Sequence, residues 1–313
     1  MTVALPSIDP PFSARLHPLT SVASAATAKW AAEWGLTERP ELALRLRETD
    51  PARLAGRVCP SASLEGLTLN SDWQAWLFLF DDAYCDESEI GSDPAATTEV
   101  TIWMLGALEA GEAGPHDVFA GALADLCARL DAMASPVQRT RFRQEVTAYL
   151  YSLVWEAARR RQRMPAQLAE YIRMRRHCSA VPTCLALIDV VNGFSLSQEL
   201  WCSPAVRAAA DAATDITCWT NDVLSLAKEE TRSIELLSLP AVLSRRQGLN
   251  QAEALRACTA MIDARIRDYL EAQQPLLASG DPVLARFCAD LRHWIAGNLA
   301  WSRETGRYRV TAR

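Results

Sequence analysis

From Thr20 onward, apolar residues recur at spacings of three and four rather than two, which is the pattern of helices with one buried face. The pattern predicts helices over about 20–34, 39–48, 66–82, 95–111, 115–134, 136–162, 165–178, 182–193, 203–229, 235–246, 250–275 and 281–304. Breakers separate them: Asp50-Pro51, the run from Gly91 to Pro94, Gly114-Pro115, Ser135-Pro136 and Ser279-Gly280. Ser203-Pro204 and Asp281-Pro282 read as helix starts, a polar cap followed by a proline whose missing N–H would have no partner there anyway. Alternating β-branched runs are absent, and no fixed-period repeat is visible. The first residues differ: Pro6, Pro10, Pro11 and Pro18 predict an extended arm. No Pro/Gly/Ser-rich linker divides the rest of the chain. The expectation is an all-α chain, with an arm over 1–19 and one helical domain over 20–313.

Two stretches depart from the amphipathic pattern and carry the candidate chemistry. Trp73 to Phe80 (WQAWLFLF) is apolar nearly all round, apart from Gln74, as a buried helix is. It runs into Asp81 and Asp82, with Asp86 and Glu87 just beyond. Asp82 and Asp86 are four apart and share a face if the helix continues. Carboxylates this close repel one another unless a cation or solvent lies between them. The negative end of the helix dipole disfavours them further. A solvated last turn is one reading, and a metal site is the other.

The second stretch begins at Asn221, 140 residues after Asp81. Asn221, Ser225 and Glu229 are spaced i, i+4, i+8 and project from one helix face. An amide oxygen, a hydroxyl and a carboxylate in a row form a three-point ligand for a hard cation such as Mg²⁺. A polar surface stripe is the plainer alternative. Against it, Val223, Leu224, Leu226 and Ala227 leave little of this helix for solvent. Lys228 is either a surface lysine or a point charge within reach of a phosphate.

Composition narrows the classes. Half of the 313 residues are hydrophobic, ample for a large core. A formal charge of −6 points away from nucleic acid or an anionic membrane as partner. No run approaches the ~18 apolar residues of a membrane span. The N-terminus lacks the basic region and apolar core of a signal peptide. Nine cysteines are scattered without a CxxC pair, and the four histidines are dispersed. Reduced thiols in a cytoplasmic protein are expected rather than a zinc site.

Asn221 to Glu229 matches the signature NDxxSxxxE, and Asp81 to Asp86 matches the looser DDxxx(D/E). In both respects the chain resembles the bacterial class I terpene synthases. Arg175, in YIRMRR, lies 46 residues before Asn221, about where that family places a diphosphate-sensing arginine. Asn298, Trp301, Thr305 and Arg307-Tyr308 resemble its closing W…RY motif. PPF…HP and Trp30 to Leu36 (WAAEWGL) resemble its opening, so the likeness spans nearly the whole chain. There are departures. Cys85 stands where a DDxxD variant has its third acid, and Ser179 stands where the family often has glycine at a helix break.

The resemblance implies an α-helical bundle around a central apolar cavity. Three Mg²⁺ would bind between Asp81, Asp82 and Asp86 on one side and Asn221, Ser225 and Glu229 on the other. Arg175, Lys228, Arg307 and Tyr308 would grip an isoprenyl diphosphate, with the Ser179 carbonyl near the bond that ionises. Candidate cavity residues are Trp73, Leu77, Phe78, Ile188, Trp219 and Trp301; for each, ordinary core packing is the competing reading. Farnesyl diphosphate is the first substrate expectation. DDAYCDESEIGSDP and PTCLALIDVVNGFSL look like the 2-methylisoborneol-type synthases, which keeps geranyl and 2-methylgeranyl diphosphate as alternatives. A second copy of the chain is a candidate partner. A trans-prenyltransferase would need a second DDxxD, and Asp81-Asp82 is the only Asp-Asp pair. An inert helical binding protein is the remaining rival.

Overall fold

The computed structural model describes residues 7–85, 88–110, 117–230 and 237–308, with backbone alone for Ala110 and residues 227–230. Among these residues all regular structure is helical. The chain forms α1 (Thr20–Glu33), α2 (Pro40–Thr49), α3 (Pro51–Val58), α4 (Leu64–Phe80), α5 (Pro94–Ala110), α6 (Val118–Met133) and α7 (Pro136–Gln162). It continues through α8 (Leu168–Cys178), α9 (Val181–Leu185), α10 (Ile188–Val191), α11 (Gln198–Cys202) and α12 (Pro204–Glu230). α13 (Leu239–Gln247), α14 (Gln251–Ala278) and α15 (Pro282–Glu304) complete it. Side-chain caps set the starts. Ser63, Asp117 and Asp281 accept from first-turn amides, and Ser135 and Asn250 form reciprocal boxes with Gln138 and Glu253.

α4 sits at the centre of one half, packed by α1, α2, α3, α6 and α10. That explains its lack of a polar face. Trp73, Trp76 and Phe80 stack along it at 5.3 and 4.6 Å between ring centres. α12 holds the other half, against α8, α9, α13, α14 and α15. α15 joins the halves because it packs on both α3 and α12. Its approach to α3 is close: a Cβ at Gly297 would lie 2.6 Å from the carbonyl oxygen of Arg57. At the other side of α4, a Cβ at Gly66 would lie 2.2 Å from the carbonyl oxygen of Val191.

Two features differ from the sequence expectation and a third adds to it. Asp50-Pro51 does not end the helical region but opens α3. Asp50 closes α2 in the left-handed conformation and its side chain caps the Arg53 N–H, while Pro51 takes the first helical position. The single helix expected over 182–193 is two short ones, α9 and α10. The third point, on which the sequence is silent, is where the arm goes: residues 7–19 lie on the helical body. Ile8 is buried, and Phe12 meets Tyr269 edge-on at 5.7 Å. His17 donates from Nε2 to the Ala62 carbonyl (3.0 Å) and accepts the Leu19 N–H at Nδ1 (3.0 Å), which assigns the neutral tautomer. No helix among the described residues is long and apolar enough to cross a membrane.

Candidate active site

A cavity runs between α4, α7, α8, α9, α12 and α15. α4 supplies a stripe of Gln74, Leu77 and Phe78, with Asp81 one turn on. α12 supplies Thr217, Asn221 and Ser225 at four-residue spacing. α15 supplies Trp294, Asn298 and Trp301, and the turn after it Arg307 and Tyr308. Asp81 after α4 meets Arg307 after α15 at 3.3 Å, and Asn221 of α12 donates to Tyr308, so the motif residues gather at one end of the cavity, its mouth. Of the six candidate cavity residues, Leu77, Phe78 and Trp301 lie on the wall. Trp73, Ile188 and Trp219 do not. Trp73 turns to Thr183, donating from Nε1 to Oγ1 (3.1 Å), and its ring lies against Trp76 and Phe142. Ile188 belongs to α10, which packs behind α4. Trp219 stands two residues off the α12 stripe, a rotation of roughly 200°, and is buried on the far side.

The first acidic stretch is not a regular helix end. α4 passes into a π-helical turn at Asp81–Cys85, so the four-residue face rule does not carry from Asp82 to Asp86. Asp86 and Glu87 lie outside the described residues. Asp81 faces the cavity, whereas Asp82 is buried and turned to Arg307. The guanidinium grips Asp82 with both ends, Nη1 to Oδ2 at 2.7 Å and Nη2 to Oδ1 at 3.0 Å. It reaches Asp81 at 3.3 Å and stands 4.8 Å over the Phe78 ring. Burial is the largest single influence and would lower the Arg307 pKa, but the attraction and hydrogen bonds of Asp82, with smaller help from Asp81 and Tyr308, together outweigh it and the net shift is upward. One arginine thus offsets part of the charge that the helix dipole rejects. Arg307 is delivered by a strap: Trp301 Nε1 donates to the Thr49 carbonyl (2.8 Å), Thr305 Oγ1 to that of Glu48 (3.0 Å), and the Gly306 N–H to Glu48 as well (2.9 Å).

The second stretch stays in regular helix. Asn221 Oδ1 accepts from Arg175 (3.2 Å), and its Nδ2 donates to the Tyr308 hydroxyl. Ser225 lines the wall one turn on. Lys228 and Glu229 belong to α12, and their side chains lie outside what is described. Arg175 is held by Asp222, with Nε at 3.0 Å and Nη2 at 2.8 Å from Oδ1. Asp222 Oδ2 accepts from the Tyr171 hydroxyl and from the Leu239 N–H (2.8 Å). Burial is the largest single influence on Arg175 and opposes its charge, but attraction to Asp222 together with the smaller contributions of Cys218, Tyr171 and Cys178 outweighs it, so its pKa also rises. Asp222 escapes the spacing argument, which picks out positions 221, 225 and 229. Its signal in the sequence is a carboxylate inside an otherwise apolar window.

Between the stretches lie further residues the motifs do not name. Glu156 and Arg160 of α7 line the mouth and pair at 3.1 Å, and Arg160 also donates to the Gly91 carbonyl (3.3 Å). Ser179 lies on the wall, but its hydroxyl stitches the backbone, donating to Arg176 O (2.9 Å) and accepting from Val181 N–H (3.2 Å). Next to it Ala180 takes a left-handed φ of 58°, an unusual conformation for a residue with a Cβ, and that break separates α8 from α9. Cys178 and Cys218 flank the break. Burial pushes the Cys218 thiol up to about 12 and Cys178 well above its ordinary value, so both face the cavity as neutral thiols.

Among the described residues no group of three or more His, Cys, Asp or Glu is arranged to hold a metal. The mouth instead presents a mixed oxygen set from Asp81, Asn221 and Ser225, and hard oxygen donors of this kind suit a divalent cation such as Mg²⁺. Comparison with known proteins agrees. Residues 72–268 match the family described as terpene synthase family 2, C-terminal metal binding. The chain is 32% identical to 4-epi-cubebol synthase (farnesyl diphosphate cyclizing) of Streptosporangium roseum, over 97% of this chain and 92% of that protein. It is also 32% identical to (+)-eremophilene synthase of Sorangium cellulosum, over 95% and 91% of the two chains. The fold matches the crystal structure of a protein from ancestral sequence reconstruction with a TM-score of 0.91 at 26% identity, covering 96% and 90%. An all-α cavity with an oxygen-rich mouth, matched in sequence along nearly its whole length, makes this chain a member of the terpene synthase family that works with a divalent metal.

Proposed function

We propose that the protein is a Mg²⁺-dependent cyclase that ionises farnesyl diphosphate and closes the resulting carbocation into a sesquiterpene. The observation that carries this reading is the cavity's polarity, with carboxylate, amide and guanidinium groups at one end and Leu77, Phe78 and Trp301 on the wall beyond. Asp81, Asn221 and Ser225, with Asp82, Asp86 and Glu229 of the same motifs, would hold three Mg²⁺. When bound, the metal supplies positive charge for the diphosphate to leave on.

The chain's own residues do the rest. Arg175, Lys228, Arg307 and Tyr308 receive the diphosphate, the arginines through a planar fork that matches phosphate oxygens. Their charges are set by buried carboxylates before substrate arrives, so little reorganisation is needed. Ser179 sits on the cavity wall beside the break between α8 and α9, where its carbonyl would lie near the bond that ionises. The apolar wall keeps bulk water from the cation and folds the chain for ring closure. Phe78 and Trp301, stacked at 5.3 Å, offer aromatic faces to cationic centres. The leaving diphosphate is itself a sufficient proton acceptor.

Relatives named with a substrate act on farnesyl diphosphate, which favours it over the geranyl and 2-methylgeranyl alternatives. The test is product analysis by gas chromatography and mass spectrometry with Mg²⁺, offering geranyl, 2-methylgeranyl, farnesyl and geranylgeranyl diphosphates separately. Cyclic products from farnesyl diphosphate, lost with EDTA and restored by Mg²⁺, are expected. Cyclisation of 2-methylgeranyl diphosphate alone would overturn the substrate, and turnover that survives EDTA would overturn the metal.

A further inference from the structure

Two arginines approach the first acidic stretch, and only one of them belongs to a motif. Arg307 grips its start, at Asp81 and Asp82. Arg160 of α7 reaches its far end. The π turn closes at Cys85, and Gly91 of the 3₁₀ turn Ile90–Ser92 returns to it. A Cβ at Gly91 would fall 1.7 Å from the carbonyl oxygen of Cys85, so only glycine lets the two turns touch. Arg160 Nη1 donates to the carbonyl of that same glycine at 3.3 Å. What holds Gly91 therefore holds the end of the π turn, and Asp81 stands at its other end, on the cavity wall.

The arginine is itself held in place. Glu156, one turn earlier on α7, pairs with Arg160 Nη2 at 3.1 Å, the favoured order for a carboxylate and a cation four apart. Both side chains line the cavity mouth, with Glu156 13% and Arg160 9% exposed. The neighbouring pairs Arg159–Glu170 and Arg161–Asp93 are wetter, the latter 67% and 50% exposed. An ion pair taken out of water gains little stability over apolar packing, which points to position as what this one supplies. The turn it holds is also tied on its other side, where Thr97 Oγ1 donates to the Ile90 carbonyl at 2.8 Å.

We propose that Arg160, braced by Glu156, is a positioning residue for the metal end of the site: it clamps the exit of the π turn and so sets where Asp81 presents its carboxylate. The proposal deepens the cyclase reading above and rests on it. Among the described residues of this stretch, Asp81 is the carboxylate that faces the cavity, whereas Asp82 is turned to Arg307. A carboxylate on a π turn has no regular helix to fix its direction. A ligand held loosely binds its cation less well. Contacts from outside the ligand set are the usual means of fixing such a group. The π turn is then held at both ends by guanidinium groups, Arg307 at its start and Arg160 at its exit.

The experiment compares the wild type with Arg160→Gln, Arg160→Lys, Gly91→Ala and Arg161→Gln. Arg160→Gln releases the clamp through its charge and Gly91→Ala through its geometry. Arg161→Gln removes an exposed pair to the same segment and serves as the control. Hydrogen exchange of the metal-free proteins, read by mass spectrometry, should quicken by about tenfold or more over residues 88–93 in Arg160→Gln and Gly91→Ala. Titration calorimetry with Mg²⁺ in the presence of inorganic diphosphate should show about 10–100-fold weaker metal binding in the same two variants, with Tm within ~2–4 °C of wild type. Arg160→Lys keeps a donor for the Gly91 carbonyl and should recover part of the loss, and Arg161→Gln should match the wild type. Faster exchange with unchanged Mg²⁺ affinity would leave Arg160 a support of the fold alone and overturns the proposal, as does an equal loss in Arg161→Gln. A wild type that binds no Mg²⁺ with diphosphate overturns the cyclase reading and this proposal with it, whereas unchanged exchange in Arg160→Gln and Gly91→Ala overturns this proposal alone.

Discussion

The two acidic stretches meet at one mouth but are built in opposite ways. The first is a distortion, a π turn whose carboxylates are balanced by an arginine from 225 residues away. The second is a regular helix whose polar stripe is braced from behind by Asp222, which gathers Arg175, Tyr171 and the start of α13. One half is held by the strap that brings Arg307 in, so its geometry depends on where the chain after α15 lies. The other half is held by a buried carboxylate within its own motif. The contrast separates two jobs that a motif alone merges: adjusting to what binds, and staying in place while it does.

The largest effect should come from removing the brace. Asp222→Ala leaves the Arg175 charge buried without its partner and should cost about 3–5 kcal/mol of stability, read as a large fall in Tm by calorimetry. A variant that melts near wild type would show that the second half does not depend on this carboxylate. Asn221→Ala addresses the same helix without touching the brace. Turnover should fall by about 10²–10³-fold while Tm stays within ~2–4 °C. Near-normal turnover would remove Asn221 from the metal set. On the other half, Arg307→Lys keeps the charge and loses the fork. A loss of about 1.5–3 kcal/mol of transition-state stabilisation, roughly 10–100-fold in kcat/KM, is expected, and unchanged kinetics would detach the strap from catalysis.

Asp290 gives the smallest effect and a useful control, a buried carboxylate outside both halves. Burial pushes its pKa up to about 7, against the pull of Arg286 and of the Asn192 amide at 3.0 Å. Between the unfolded value near 4 and about 7, the native state keeps a proton that the unfolded chain has released. Stability attributable to this group therefore falls as pH rises through that window. Asp290→Asn should raise Tm by a few degrees at pH 8 and hardly at all near pH 4. An equal gain at both pH values would mean that the carboxyl does not titrate there.

Much of this was legible in the sequence where structure is regular. Helices followed from three-and-four spacing, and the stripe of Asn221 and Ser225 followed because α12 keeps about 3.6 residues per turn through it. Legibility failed where the backbone departs from that period. The π turn at Asp81–Cys85 carries no local signal that distinguishes it from a helix end. Asp50-Pro51 reads equally as a stop or as a capped start, and the structure uses it as both. The cavity face of α4 was half legible. A helix apolar on every side does not say which side meets a ligand, so Leu77 and Phe78 were found together with Trp73, which points elsewhere. Gln74 is the one interruption in that run, and it does face the cavity. The pairing of Arg307 with Asp82 belongs to tertiary structure alone.

Gly297 has an implication for anyone altering which products this protein makes. It touches no part of the cavity, yet it sets how near α15 lies to α3. Leu54 on one helix and Trp301 on the other both face the cavity. Adding even a methyl group there would push two walls apart at once. A mutagenesis library restricted to lining positions would never sample that change. A handle on pocket width in this scaffold lies behind the wall, at a residue with no side chain.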